Sequence, residues 1–275
     1  MLRRRPGIEL KSPEQLIGMR KAGLVVAAAL QATAAAVRAG TTTSDLDAVA
    51  GAVIRTSGAT SSFLGYQGYP AVTCISVNSE IVHGIPGSRV LLEGDSVSID
   101  CGAVVDGWHG DSAVTVQVGA GSEVAQALSE ATRLAMWHGI GAARLGGTVG
   151  DVSAAIEAYV SALPTPYGIV EEYTGHGIGS AMHQPPDVPN LGRAGKGPKI
   201  VPGMALAIEP MLTAGDPTNS VLDDDWTVVT DDGSLACHWE HTMTVTDRGV
   251  WVLTSPDGGE AMLAELGVPF GPLAD

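Results

Sequence analysis

Three acidic residues stand at strand-like positions where a carboxylate is least welcome. Asp100 ends Val97-Ser98-Ile99, Glu209 ends Ala205-Leu206-Ala207-Ile208, and Glu240 follows Cys237-His238-Trp239. Asp and Glu are disfavoured in strands, and a buried carboxylate without a partner is strongly destabilising. One such residue reads equally well as a structural ion pair. Three of them, in a chain with only 15 Lys+Arg, point to a shared cation.

A fourth acid joins by hairpin geometry. Asp106-Gly107 is a strong two-residue turn signal. With that turn, Val105 faces Trp108, Gly102 faces Asp111 and Asp100 faces Ala113. Asp100 and Asp111 then become diagonal neighbours on one face, ~7–8 Å apart between backbones. Carboxylates so placed repel unless something positive lies between them, and a pair of divalent ions ~3.5–4 Å apart would fit. An exposed hairpin with both acids in water gives the same pattern.

Histidine would supply a nitrogen ligand. His176 lies in Thr174-Gly175-His176-Gly177-Ile178-Gly179, just past a strand-like run, where the glycines permit close approach. His183 follows seven residues later, which is not the HExxH spacing of a zincin helix. His138 reads as a surface residue, and His109, His238 and His241 as polar packing. Cys74, in an apolar strand, reads as packing rather than as a nucleophile. Gly175-x-Gly177-x-Gly179 imitates a dinucleotide fingerprint, but Pro185 and Pro186 deny it the long helix that must follow. Neither a GxSxG elbow nor a P-loop occurs.

The elements that must carry these residues follow from periodicity and caps. Helices are expected at 12–39, 44–57, 122–145 and 150–162, with Ser44, Ser122 and Thr148 as caps. Ser12-Pro13-Glu14-Gln15 offers a capping box with proline at the first helical position, and Gly40 suits the far end. Strands are expected at 72–77, 95–105, 108–118, 168–174, 204–209 and 236–246. Two helices then strands, followed by two more helices then strands, suggest two similar α+β halves meeting in a shared sheet.

Composition narrows the class. The 275 residues carry Lys+Arg 15 against Asp+Glu 30, a formal charge of -15, which argues against a dedicated nucleic-acid binder. Hydrophobic residues at 45% provide ample core. Cys74, Cys101 and Cys237 are isolated, excluding a disulfide scaffold and any CxxC motif and suggesting a reducing compartment. Ala22 to Val37 carries no charge, yet a bilayer span needs about 20 apolar residues and Glu9 and Glu14 spoil a basic leader. A buried core helix is expected there. No composition break divides the chain, so the reading is one domain, 1–275, with 1–11 and 256–275 as tails and Arg3, Arg4 and Arg5 solvated.

Taken together, Phe63-Leu64-Gly65-Tyr66-Gln67-Gly68-Tyr69-Pro70, His83-Gly84-Ile85-Pro86, Asp100, His109-Gly110-Asp111, Gly175-His176-Gly177-Ile178-Gly179, Ile208-Glu209-Pro210-Met211 and Glu240-His241-Thr242 resemble the type I methionine aminopeptidases. The resemblance covers roughly residues 12–255, with all five expected ligand positions in order. It implies a pita-bread fold, two pseudo-symmetric α+β halves sharing a curved antiparallel sheet around a dinuclear metal site.

Carried over position by position, Asp111 and Glu240 would bridge two divalent ions (Co, Mn, Fe or Zn). Asp100 would complete one ion, and His176 and Glu209 the other. His83 and His183 match the family's two non-ligand histidines near substrate, and with Glu209 as proton shuttle they form the expected catalytic set. Phe63, Tyr66, Tyr69, Cys74, Met182 and Trp226 fall where the methionine pocket is built. Phe63 and Met182 depart from the cysteine and phenylalanine of enterobacterial members. The implied reaction removes the initiator methionine when the second residue is small. The implied partner is a nascent polypeptide beginning with Met, with the ribosome nearby, a cytoplasmic location and a monomeric state. An Xaa-Pro aminopeptidase or prolidase and a non-catalytic pita-bread binding protein are the competing readings.

Overall fold

A computed structural model describes residues 7–274. Helix α1 spans Pro13–Ala36 and begins with the expected capping box: Gln15 N donates to Ser12 Oγ at 3.3 Å and Ser12 N to Gln15 Oε1 at 2.8 Å. It ends earlier than expected. Val37 is already extended, and Gly40, at φ 89°, shapes the turn beyond rather than capping the helix. Helix α2 spans Thr43–Thr56, and its cap is Thr42, not Ser44. Asp45 explains the shift, because its carboxylate accepts from Thr42 N at 3.0 Å while its own N–H donates to Thr42 Oγ1 at 3.1 Å. Helices α3 (Glu123–Ala142) and α4 (Val149–Ser161) start behind Ser122 and Thr148 as expected.

Nine strands form one antiparallel sheet. Its main path runs Thr60–Ser61, Ser96–Val105, Trp108–Gln117, Glu240–Thr246, Ala205–Ile208, Gly175–Gly177, Gln184–Val188. Thr73–Val77 pairs with Ser96–Val105, and Gly249–Val252 with Glu240–Thr246. The Asp106-Gly107 turn is present, with φ of 50° and 82°, and sets the expected register, including Gly102↔Asp111 and Asp100↔Ala113. The sheet is flanked by helices, with one apolar core beneath α1 and α2 and another beneath α3 and α4. This is the pita-bread arrangement. Ile99, Cys101 and Ala103 point into the α1–α2 core, so by strand alternation Asp100 and Gly102 face away from the helices.

Two expected strands are broken. The 168–174 run is a strand only at Gly168–Ile169, and the chain pairs again at Gly175–Gly177. The 236–246 run splits at Trp239 because its ends belong to different sheets. Ala236–His238 pairs with Met211–Thr213, while Glu240–Thr246 joins the large sheet.

Helix α1 is long and apolar enough to pass for a membrane span, but Leu16, Met19, Val26 and Leu30 are buried in the protein, as expected of a core helix. The expected tails are corrected in part. Residues 256–274 include helix α5 (Glu260–Glu265), whose Leu263 is fully buried, and Gly271 N donates to Val250 O at 2.9 Å. Lys11 is buried at the other end. Arg3, Arg4 and Arg5 lie outside the described residues. All three cysteines are free.

Candidate metal centre and its cleft

Sheet register alone assembles most of the acids. Cys74 pairs with Asp100, Asp100 with Ala113, and Ala113 with Glu240, so one row crosses four strands. Asp111, two residues before Ala113, shares that face. Thr242 locks it to the neighbouring strand: its Oγ1 accepts from Asp111 N at 3.1 Å and donates to Asp111 O at 2.8 Å. Glu209 follows Ile208, which pairs with His241 beside Glu240. His176 arrives on the next strand, where Gly177 pairs with Leu206.

Ligand-type atoms of Asp111, His176 and Glu240 lie within 4.8 Å of one another, and all three residues are buried. Asp100 and Glu209 line the same cleft. His176 Nδ1 stands 3.0 Å from Gly177 O. A carbonyl only accepts, so Nδ1 carries the proton and Nε2 turns its lone pair toward the acids. Glu209 Oε1 sits 3.4 Å from that Nε2. Two lone pairs at that distance need something positive between them.

The electrostatics agree. Burial pushes the Asp100 carboxyl well up, and the charges of Asp111 and Glu209 push it further. Burial does the same to Glu240 and Glu209, each with Asp111 adding to the rise. Asp111 is pushed up to about 7 by burial, against opposing hydrogen bonds from Asp100 and Ser112. Burial holds His176 down at about 3, with His183 pushing the same way. Asp100 Oδ1, Asp111 Oδ1, Glu209 Oε1 and Glu240 Oε1 are buried without a hydrogen-bond partner. Among the described residues, the Lys and Arg ion pairs lie elsewhere, at Glu9, Glu80 and Glu130. An oxygen-rich donor set with one neutral imidazole and four orphaned oxygens fits divalent metal.

The metal cluster opens into a cleft of about 250 Å³ lined by every residue that the resemblance assigns to metal, catalysis or the pocket. Its apolar wall is a separate cluster containing Phe63, Tyr69, Cys74 and Met182, with Tyr66 and Trp226 packed on it. Tyr69 stands edge-on to Phe63 at 6.5 Å and to Trp226 at 5.0 Å between ring centroids. The Tyr69 hydroxyl bonds to Thr73 O at 3.0 Å and Gly84 O at 3.1 Å, which ties the wall to the segment bearing His83. His83 itself has φ 60° and stands edge-on to Trp226 and Tyr173. Such backbone strain in a non-glycine residue persists only where the surroundings impose it. Burial keeps the Cys74 thiol protonated, with Asp100 acting in the same direction, so Cys74 is wall and not nucleophile.

Two neighbours escaped the sequence reading. Gln67 also lines the cleft, at φ 48°, and its only signal was its place between Tyr66 and Gly68. His238, read as packing, is buried with Nε2 3.9 Å from Glu209 Oε2 and no hydrogen-bond partner. His109 and His241 do serve packing, held by Ser62 at 2.9 Å and by Thr254 at 2.8 Å. His138 stacks on Tyr159.

With the site in place, the family follows. The model of metallopeptidase family M24 matches residues 17–247. This chain belongs to metallopeptidase family M24. Within the family it is 54% identical over 258 residues to methionine aminopeptidase 1 of Mycobacterium tuberculosis, covering 92% of this chain and 97% of that one. It is 45% identical over 248 residues to methionine aminopeptidase of Clostridium acetobutylicum, covering 90% and 98%. The crystal structure of a methionine aminopeptidase from Thermotoga maritima superposes with a TM-score of 0.88 at 39% identity, covering 90% of this chain and all of that chain, 100%. Membership of this metallopeptidase family carries the use of divalent metal.

Proposed function

We propose that this metallopeptidase removes the initiator methionine from nascent proteins whose second residue is small. The observation that carries the reading is the cluster of Asp111, His176 and Glu240 opening directly onto the apolar pocket of Phe63, Tyr69, Cys74 and Met182. Asp100, Asp111, His176, Glu209 and Glu240 would hold two divalent ions. Bound there, the metal would supply Lewis acidity and lower the pKa of a water.

The chain's own residues do the rest. The pocket takes an unbranched thioether against aromatic faces, where sulfur–ring contacts add to burial. His183 is kept neutral, since burial lowers its pKa, and its Nδ1 is occupied by the Tyr66 hydroxyl at 2.8 Å. With the phenol donating to Nδ1, Nε2 carries the proton and can donate to the developing oxyanion of the scissile carbonyl. His83, lowered to about 4 by burial and by His183, is likewise neutral at working pH and faces the substrate. Glu209, its carboxyl raised by burial, suits proton transfer to the leaving amine.

The same reading places the enzyme in the cytoplasm as a monomer acting on chains emerging from the ribosome. It is tested with Met-Gly-type and Xaa-Pro peptides, each with chelator and with added Mn, Fe, Co or Zn. Metal-dependent release of methionine from Met-Gly peptides is expected. Cleavage confined to Xaa-Pro bonds supports the prolidase reading, and no cleavage under any metal supports a binding protein.

A further inference from the structure

The residues just before α1 grip the loop that carries Met182 and His183. Both Glu9 carboxylate oxygens are used on one residue of that loop: Ser180 N donates to Oε2 at 3.0 Å and Ser180 Oγ donates to Oε1 at 2.6 Å. Lys11 lies alongside with its side chain only 2% exposed, a rare state for a lysine. Its ammonium reaches Glu9 O at 3.1 Å, Glu9 Oε2 at 3.5 Å and Gln184 Oε1 at 3.4 Å. The backbone of Lys11 is anchored in turn, its N–H donating to Gly203 O at 2.8 Å. Gly179 shows how tightly the two segments meet, because a Cβ there would run into the Glu9 carboxylate and the Lys11 side chain.

The grip lies at one end of the pocket loop. The loop is also held through backbone, by Ile178 N donating to Ala205 O at 3.1 Å and His109 N donating to Gly179 O at 2.9 Å, and at its far end by the His183 Nδ1–Tyr66 hydroxyl contact at 2.8 Å. Beyond Ser180 come Ala181, Met182 and His183, then Gln184, which returns to Lys11 and to Ser180 Oγ. Glu9, Lys11, Ser180 and Gln184 thus close a polar ring at the base of the loop.

We infer that Glu9 is a positioning residue for the methionine pocket: by holding Ser180 it sets where Met182 and His183 stand. The inference rests on the aminopeptidase reading for its effect on catalysis, but the grip itself is independent of that reading. Burial alone would raise the Glu9 carboxyl, yet the hydrogen bonds from Ser180 outweigh it and hold the group down at about 2. Glu9 therefore stays ionised throughout the working pH range, while burial pulls the pKa of the Lys11 ammonium down against the charge of Glu9. Among the described residues Glu9 has no hydrogen bond or ion pair to the metal-cluster side chains, so its loss is expected to act on the pocket and to leave metal affinity unchanged.

The test compares Glu9→Ala, Glu9→Gln, Ser180→Ala and the Glu9→Ala/Ser180→Ala double variant. Three quantities are read: hydrogen exchange across 178–184, metal binding by calorimetry, and kcat/KM for Met-Gly against Leu-Gly peptides. The ratio of the two kcat/KM values cancels any loss of folded enzyme. Glu9→Ala is expected to speed Ser180 amide exchange and to cut discrimination for methionine by roughly three- to tenfold, with metal affinity unchanged. Glu9→Gln, which keeps an acceptor for Ser180, should recover part of the discrimination, and the double variant should be no worse than Glu9→Ala. Unchanged discrimination with unchanged Ser180 exchange overturns the inference, as does full additivity of the two single variants. If the unsubstituted enzyme releases no methionine, the functional reading fails, while exchange at Ser180 still decides whether Glu9 holds the loop.

Discussion

The Tyr66 hydroxyl meets Nδ1 of His183 at 2.8 Å, with the two rings 5.2 Å apart. A phenol donating to Nδ1 places the imidazole proton on Nε2, the tautomer an oxyanion donor requires. Tyr66→Phe should keep the pocket's shape and lose this control. A kcat lower by roughly three- to tenfold is expected, matching one net hydrogen bond, with metal content unchanged. Steady-state kinetics with metal analysis checks it, and nitrogen NMR of His183 should show a mixture of tautomers.

The metal-free protein should be less stable at higher pH. Asp111 is raised from 3.8 to about 7 by burial, so the folded chain binds a proton there that the unfolded chain has already lost. Stability from this group is complete below about 4 and disappears as pH rises through about 7. With chelator present, Tm should fall by roughly 5 °C or more between pH 5 and pH 8. Divalent metal should reverse the fall, and Asp111→Asn should lessen it, leaving the part that comes from Asp100, Glu209 and Glu240. Scanning calorimetry across pH decides the matter.

Gly102 backs the pocket wall. A Cβ there would stand 2.8 Å from Phe63 Cε1 and 2.8 Å from Ser62 Cβ. Gly102→Ala must therefore push Phe63 toward the cleft, at an overpacking cost of about 1–3 kcal/mol. KM for Met-Gly peptides should rise more than kcat falls. A kcat effect alone, with KM unchanged, would show that the wall had not moved.

Thr242 ties Asp111 to the strand that carries Glu240. Thr242→Val keeps the volume but strands the Asp111 N–H and carbonyl, both buried. A loss of about 1–3 kcal/mol is expected in chemical denaturation. Weaker metal binding should accompany it, because Asp111 and Glu240 would no longer be held in register. Calorimetric titration of the metal-free variant measures that part.

Much of the centre was legible in the sequence because strand geometry is periodic. The Asp106-Gly107 turn sets the register of ten paired positions, from Val105↔Trp108 to Ser96↔Gln117, and so places Asp100 relative to Asp111 without any long-range knowledge. Helix starts were equally readable where a cap and its partner lie three residues apart, as at Ser12 and Gln15. At α2 the expected cap, Ser44, gave way to Thr42, which the reciprocal bond with Asp45 selects.

What tertiary structure decided lies in contacts between distant segments. Trp239 breaks an apparently continuous strand because its two ends pair with different partners, and pairing partners are not written in local pattern. His238 looked like packing, since nothing in its own neighbourhood says that Glu209 will stand opposite. The Glu9 grip joins residues 171 positions apart in the chain, and a short polar stretch before a helix carries no sign of it. Types and periods along the chain determined which residues could hold a metal. The closing of the sheet, driven by burying the two apolar cores, determined which of them meet.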